Sequence, residues 1–377
     1  MKVRRFLLRP TKAIINLSAL RHNVRQISSH LSESTRFIAV VKANAYGHGA
    51  IPVSRIALGS GADWLAVAIP EEGIELRAAG LQAPILILGM SLPEQAGLFI
   101  DHNLIAAVSS LDSLHAFQLA ALQKRMCARV MIKLDTGMGR VGVQPAQMVD
   151  FVRQALALSG IEVTGLFTHF AAADEPDPSF TLQQLDCLTH VIQALKAQGI
   201  ELPLISAANS AATDAFPAAH CDAARPGIIL YGLPPAPDMS LQLDLQPVMS
   251  LVTRIVHIKQ VPANTPVSYG CTHRTTGPTW LATLPVGYAD GYSRHLSNKG
   301  VVLVNGIRRK VVGRVCMDQI VIDLGPDCDA AVGDEVVLFG RQGQSEITLT
   351  ELAVLAGTIN YELACAISPR VPRVYVE

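Results

Sequence analysis

The sequence predicts an α/β fold: an N-terminal (β/α)8 barrel of the TIM type over residues 1–238, followed by a mostly-β C-terminal domain over 239–377. Three observations point there. Eight short aliphatic or β-branched runs recur through the first 230 residues, with helix-like stretches between most of them. Beyond a proline-rich segment the pattern changes to closely spaced strands. A length of 377 residues exceeds one ordinary core and suits a barrel of about 250 residues with a smaller module.

The eight runs are 37–42, 63–69, 84–88, 104–108, 129–134, 161–167, 203–207 and 223–231, and helical spacing fills 51–58, 71–79 and 180–198. The interval between the third and fourth runs is short for a full helix, and periodicity alone leaves a doubly wound sheet open. Leu233-Pro234-Pro235-Ala236-Pro237-Asp238 reads as a linker. After it come strand-like runs at 249–260, 279–285, 300–304, 310–315, 319–324 and 334–339. Asn305-Gly306 is a hairpin turn between 301–304 and 309–312. The first eleven or so residues are expected to pack on the β-domain. There is no repeat of 20–50 residues and no low-complexity tract.

Lys plus Arg (31) equals Asp plus Glu (31), so no net field draws the chain toward nucleic acid or an anionic membrane, and a small molecule is the favoured partner. Seven cysteines, odd in number and without a C-x-x-C pair, argue against a disulfide framework or a zinc site and fit a reducing cytoplasm. The N-terminus Met1-Lys2-Val3-Arg4-Arg5-Phe6-Leu7-Leu8-Arg9-Pro10 is basic, but its apolar stretch is too short for a secretion signal. No uninterrupted apolar window is long enough to span a membrane.

The most telling segment is Val40-Val41-Lys42-Ala43-Asn44-Ala45-Tyr46-Gly47-His48-Gly49, in which a lysine ends an apolar run and opens a glycine-bracketed turn. Residues at the strand ends of a barrel face its mouth, and an amine held there can form a Schiff base. Standing alone, such a lysine is a solvated surface residue. The decapeptide, however, resembles the pyridoxal-phosphate (PLP) signature of alanine racemases. The resemblance implies that Lys42 carries PLP as an imine and that Tyr46 contacts the cofactor phosphate, with Gly47 and Gly49 allowing close backbone approach.

Further clusters extend the resemblance over residues 36–374. Lys133-Leu134-Asp135-Thr136-Gly137-Met138-Gly139-Arg140 follows the fifth run. By the resemblance, Lys133 matches a lysine that is often carbamylated and orients Arg140, which faces the cofactor phenolate and the substrate. An added carboxylate would turn a buried ammonium into a partner for a guanidinium fork. Without the family these charges read as a solvated loop. His169, ending the sixth run, matches the imidazole that lies against the PLP ring; alone it reads as structural, and with Asp174 and Glu175 it lacks the i, i+4 histidine pair of a metal site, so no metal is expected. Asn209 and Ser210 after the seventh run read as helix capping on their own and as cofactor contacts in the family. The Ser210 hydroxyl with the Gly227 and Ile228 amides would donate to phosphate, and Arg225 would face the pyridine nitrogen. A guanidinium cannot protonate that nitrogen well, so the ring is a poorer electron sink, which favours proton exchange over transamination.

From the second domain, Tyr269 matches the second catalytic base. A phenol titrates near 10 in water, so neighbouring cations such as Arg294 or Arg314 are needed to favour the phenolate. Tyr288, the Met317 amide and Asp318 would shape the substrate end, and Tyr361 would reach the phosphate. One departure is Ser206, which stands where several family members have a histidine, so the tuning of the tyrosine must differ here.

The resemblance implies an isomerase interconverting L- and D-alanine by a Lys42/Tyr269 two-base mechanism. It would supply D-alanine for peptidoglycan or act in alanine catabolism. The resemblance also implies a homodimer with active sites at the subunit interface. Competing readings are a serine or broad-spectrum racemase, differing only in pocket size near Tyr288, Met317 and Tyr361; a PLP-dependent decarboxylase of the same architecture, which the Tyr269 and Tyr288 pattern fits less well; and a non-catalytic PLP carrier, which usually has the barrel alone.

Overall fold

The computed structural model describes residues 9–377. Most of the basic N-terminal stretch, including its apolar residues, therefore lies outside the described residues. Two compact units emerge: Leu20–Ala45 with Ala50–Gln246, and residues 9–19 with Tyr46–Gly49 and Pro247–Glu377.

In the first unit eight parallel strands close into a barrel: Arg36–Val40, Trp64–Val67, Ile85–Met90, Ile105–Val108, Ala128–Lys133, Ile161–Phe167, Ile205–Ser206 and Ala223–Ala224. The last strand returns to the first through Arg36↔Ala223 and Phe37↔Ala224, which excludes the doubly wound alternative. Strands covered on both faces must be apolar throughout, and Ile38, Leu65, Leu86, Ile105, Val130 and Leu166 are fully buried. The eighth strand is shorter than the run 223–231. Pro226 has no N–H for the ladder, and the chain turns into a tight helix at Ile228–Tyr231. Between the third and fourth strands a short turn and a six-residue helix, Ala96–Asp101, replace a full helix. Ala50–Leu58, Pro70–Ala78 and Ser179–Ala197 lie within a residue or so of the expected helices.

The second unit is built on a ten-stranded, mostly antiparallel sheet. The run 249–260 splits into Met249–Arg254 and His257–Val261. Between them Ile255 N–H bonds Asp334 O and Val256 N–H bonds Thr283 O, so the chain changes partners and bends. Asn305 and Gly306 have φ of 51° and 76°, the positive pair of a two-residue hairpin, and join Val301–Val304 to Ile307–Val311. An unexpected strand, Lys12–Asn16, lies between Met249–Arg254 and Arg373–Val376. Of the first eleven residues, eight lie outside the described ones; Arg9 makes a two-pronged pair with Asp290 at 2.6 Å, and Thr11 bonds Thr253 at 2.8 Å. Among the described residues no helix is long and apolar enough to cross a membrane.

Candidate active site

The first barrel strand ends at Val40, and Val41 N–H still reaches Ala66 O before Lys42 leaves the ladder. Ala43, Asn44, Ala45 and Tyr46 then take φ of 52°, 53°, 54° and 50°, one left-handed turn made of non-glycine residues. Each such residue costs about 1–2 kcal/mol, so the surroundings must hold the turn. Ala45 N–H bonds Val41 O at 2.8 Å, and Asn44 Oδ1 accepts the Ala50 N–H at 2.8 Å where the next helix starts.

Around the barrel mouth the strand ends bring several cations together. Lys133, the last residue of the fifth strand, is 3% exposed and donates to Leu134 O at 3.1 Å. Burial, then Arg225, with a smaller contribution from Arg140, brings its ammonium down to about 7, and Asp135 opposes them. Burial raises the Asp135 carboxyl, but the N–H groups of Gly139 and Gly137, each donating at 3.0 Å, more than offset it and hold the group low. Arg225 is 4% exposed. Its Nη1 donates to Ser206 Oγ at 2.5 Å, and its Nη2 to Thr168 O at 2.6 Å and Ala207 O at 3.2 Å. Burial lowers it to about 10, so it stays charged at neutral pH. Lys133 Nζ and Arg225 Cζ each lie 5.3 Å from the Phe167 ring centroid, a cation–π contact that compensates part of their lost hydration. Burial, and after it Arg225, Lys133, Arg140 and Lys42, push His169 down to about 3, leaving a neutral imidazole.

Ser206 has a defined task. It accepts from Arg225 and donates to Ala223 O at 2.6 Å, locking the guanidinium to the seventh and eighth strands. Ser210 Oγ accepts the Gly227 N–H at 2.8 Å, and Asn209 Oδ1 caps the helix Ser210–Ala215 through Ala212 N–H at 3.0 Å. Ile228 is buried at the start of the following turn. Sequence reasoning passed over Gln184. Fully buried, it donates to Thr136 Oγ1 and His169 O and accepts from Ala171 N–H. The available signal was a polar residue on the inward face of Ser179–Ala197, in register with Leu188, Val191 and Leu195.

In the second unit the Tyr46 and Tyr361 rings lie 6.1 Å apart at 54°. Burial, then Tyr361 and Cys365, push the Tyr46 hydroxyl up. A Cβ on Gly47 would stand 2.3 Å from Ala364 O, so only glycine lets this backbone approach. A separate cleft of ≈ 580 Å³ is lined by Tyr269, Tyr288, Arg294, Arg314, Met317 and Asp318 among others. Ser268, at φ 62°, donates to Arg314 O at 2.7 Å and so fixes the corner that carries Tyr269. Tyr288 N–H bonds Cys316 O and Ala289 N–H bonds Met317 O, while a Cβ on Gly287 would meet Cys316 O at 2.2 Å. Asp318 pairs with Arg370 at 2.7 Å. Among the described residues no group of three or more His, Cys, Asp or Glu could hold a metal ion.

Of the expected site residues, the first unit thus carries Lys42, Lys133, Arg140, His169, Asn209, Ser210, Arg225, Gly227 and Ile228. The second carries Tyr46, Tyr269, Tyr288, Met317, Asp318 and Tyr361. Residues 15–235 match the family model for the alanine racemase N-terminal domain, and residues 248–375 match that for the C-terminal domain. Barrel, β-unit and both matches define an isomerase of the barrel-plus-β class. The alanine racemase of Halothermothrix orenii is 48% identical over 367 residues, 97% of each chain. The crystal structure of alanine racemase from Streptomyces lavendulae superposes with a TM-score of 0.93 at 40% identity, covering 98% of this chain and 97% of that one. The Bacillus anthracis alanine racemase, solved with bound L-Ala-P, gives 0.92 at 38%, covering 98% and 95%. The chain belongs to the alanine racemase family.

Proposed function

We propose that the chain interconverts L- and D-alanine with PLP as its cofactor, and that Lys42 and Tyr269 are its two proton-transfer groups. The observation that carries this reading is the surplus of positive charge in the barrel mouth. Lys42, Lys133, Arg140 and Arg225 all act on His169, and among the described residues Asp135 is the one carboxylate acting on Lys133. Lys133 and Arg225, the two of these that are buried, call for anionic partners, and a phosphorylated, phenolic aldehyde supplies them.

Lys42 would hold PLP covalently. Ser210, the Ile228 amide, Tyr46 and Tyr361 would take its phosphate, with the Gly227 amide turning to it from Ser210 Oγ and Asn209 holding the helix start beside them. Arg140 would face the phenolate, Arg225 the ring nitrogen and His169 the ring face. Bound there, PLP supplies an electron-poor ring that acidifies the Cα–H of an attached amino acid. Arg225 keeps its own proton, so it orients without protonating. An amine at about 7 has a neutral, nucleophilic fraction at neutral pH, which makes Lys133 suited to carbamylation; the resulting carboxylate would offset its cationic neighbours.

Inversion at Cα needs a proton removed from one face and returned to the other, hence two groups, Lys42 Nζ and Tyr269 Oη. Tyr288, Met317 and Asp318 would bound the substrate end; the L-Ala-P carried by the Bacillus anthracis relative supports alanine as substrate. Tyr269 is 75% exposed, and Tyr288 and Met317 are exposed beside it. This supports a homodimer in which the partner subunit covers the cleft, so that Lys42 and Tyr269 of one site come from different chains. The enzyme would work in the cytoplasm, either making D-alanine for peptidoglycan or serving alanine catabolism.

Borohydride reduction of the yellow holoenzyme followed by peptide mapping tests the core of this reading: the pyridoxyl label is expected on Lys42, and a label on another lysine ends it. Mixing inactive Lys42→Ala and Tyr269→Phe chains should restore part of the activity, since a mixed dimer holds one intact site. No recovery would remove the shared-site dimer.

A further inference from the structure

The left-handed turn after Lys42 has an additional holder. Glu72 is the third residue of the helix Pro70–Ala78, and its Oε2 accepts the Ala68 N–H at 2.8 Å and the Ile69 N–H at 3.3 Å. That oxygen alone makes the reach-back bond to the residue that precedes the helix. Oε1 does something capping does not require: it accepts the N–H of Ala43 at 2.5 Å. The ladder between the first two barrel strands has ended by then, with Val41 N–H on Ala66 O, and Ala68 O is already taken by Gly89 N–H. The carboxylate therefore replaces the missing ladder partners and bridges the ends of both strands. The peptide it grips joins Lys42 to Ala43, so the grip fixes the backbone rotation after the Lys42 Cα at the entrance to a strained turn.

We infer that Glu72 is a positioning residue for Lys42, setting the direction in which the lysine side chain leaves the backbone and hence its reach to one face of the substrate. This rests on Lys42 being one of two proton-transfer groups. A charge-assisted bond from a side chain anchored on a helix restrains that peptide more tightly than solvent does. Displacing a reacting group by about an ångström can cost on the order of a hundredfold in rate.

The test compares Glu72→Gln and Glu72→Ala with wild type, and uses Gln95→Ala as a capping control, because Gln95 Oε1 likewise accepts the Leu92 N–H, at 3.0 Å, but touches nothing near Lys42. With α-deuterated L- and D-alanine, a fault confined to the lysine side makes transfer there more rate-limiting. The primary isotope effect should rise for the enantiomer whose proton goes to Lys42 and fall for the other, while kcat/KM drops roughly ten- to hundredfold in both directions. Loss of folded or loaded protein lowers the rate but leaves both isotope effects where they were. Independently of turnover, amide exchange in the peptide spanning 41–50 should quicken by roughly tenfold in both Glu72 variants. Should Glu72→Ala not fold, Glu72→Gln decides, because it places an NH2 group against one of the two sets of N–H donors. Unchanged isotope effects, or the same divergence in Gln95→Ala, overturn the inference while leaving the proposed function standing. A wild-type enzyme that exchanges no α-hydrogen or carries its label elsewhere sinks the functional reading and this inference together.

Discussion

The barrel mouth of the first unit and the tyrosine-lined cleft of the second hold the two halves of the expected site residues in opposite physical states. In the barrel, Lys133 and Arg225 are 3% and 4% exposed, and the Arg225 guanidinium is directed at three acceptors. In the cleft, Tyr269 is 75% exposed, and only the backbone corner beneath it is clamped. Buried charge demands preorganised partners and shifts the titration of everything around it; an open phenol on a fixed corner is constrained only where the chain turns. The barrel half is thus specified by its own unit. The cleft half displays Tyr269, Tyr288 and Met317 on an exposed surface.

Tyr269→Phe should separate the halves most sharply. Loss of one of the two proposed proton-transfer groups is expected to lower kcat by about 10²–10⁴ with the melting temperature unchanged. A fall of several degrees would mean that the hydroxyl also supports the fold and would blur the contrast.

A pH titration of stability gives the second largest effect. The Lys133 ammonium lies at about 7 in the folded chain against a reference of 10.5, so between those values the unfolded chain binds a proton that the folded one does not. Stability should therefore rise as pH climbs through this window, by on the order of a few kcal/mol, and the burial cost is fully present below pH 7. Urea unfolding of cofactor-free protein in carbonate-free buffer, at pH 7 and 9.5, should show the rise, and Lys133→Met should flatten it. An equal slope in both proteins would assign the effect to another group.

The smallest change belongs to the cleft rim. Asp318 and Arg370 are 55% and 47% exposed, so Asp318→Asn should leave the urea midpoint of unfolding essentially unchanged. A marked fall would mean that this rim is held as tightly as the barrel mouth.

Much of the fold was legible because burial on both faces writes itself as unbroken apolar runs, and because Asn305-Gly306 has the chemistry its turn requires. Lys12–Asn16 escaped notice: five residues of mixed character become a strand only beside partners more than 230 positions away. Lys42 stood out by its setting, whereas the left-handed turn behind it did not. Local preference opposes four such residues in a row, and while the Asn44 bond to Ala50 is local, the Glu72 bond that also holds them comes from another helix. Gln184 was hidden because a mid-helix glutamine carries no mark of what its amide will meet.

Sequence alone determined the alternation of strands and helices, the change of pattern after the proline-rich segment, and the reactive residue types at strand ends, since periodicity and turn chemistry act over a few neighbours. Tertiary structure decided which charges share a buried volume, how far Lys133 and His169 shift as a result, and that Ser206 meets Arg225. Those outcomes depend on dielectric surroundings and on contacts between strand ends far apart in the chain, which no local pattern encodes.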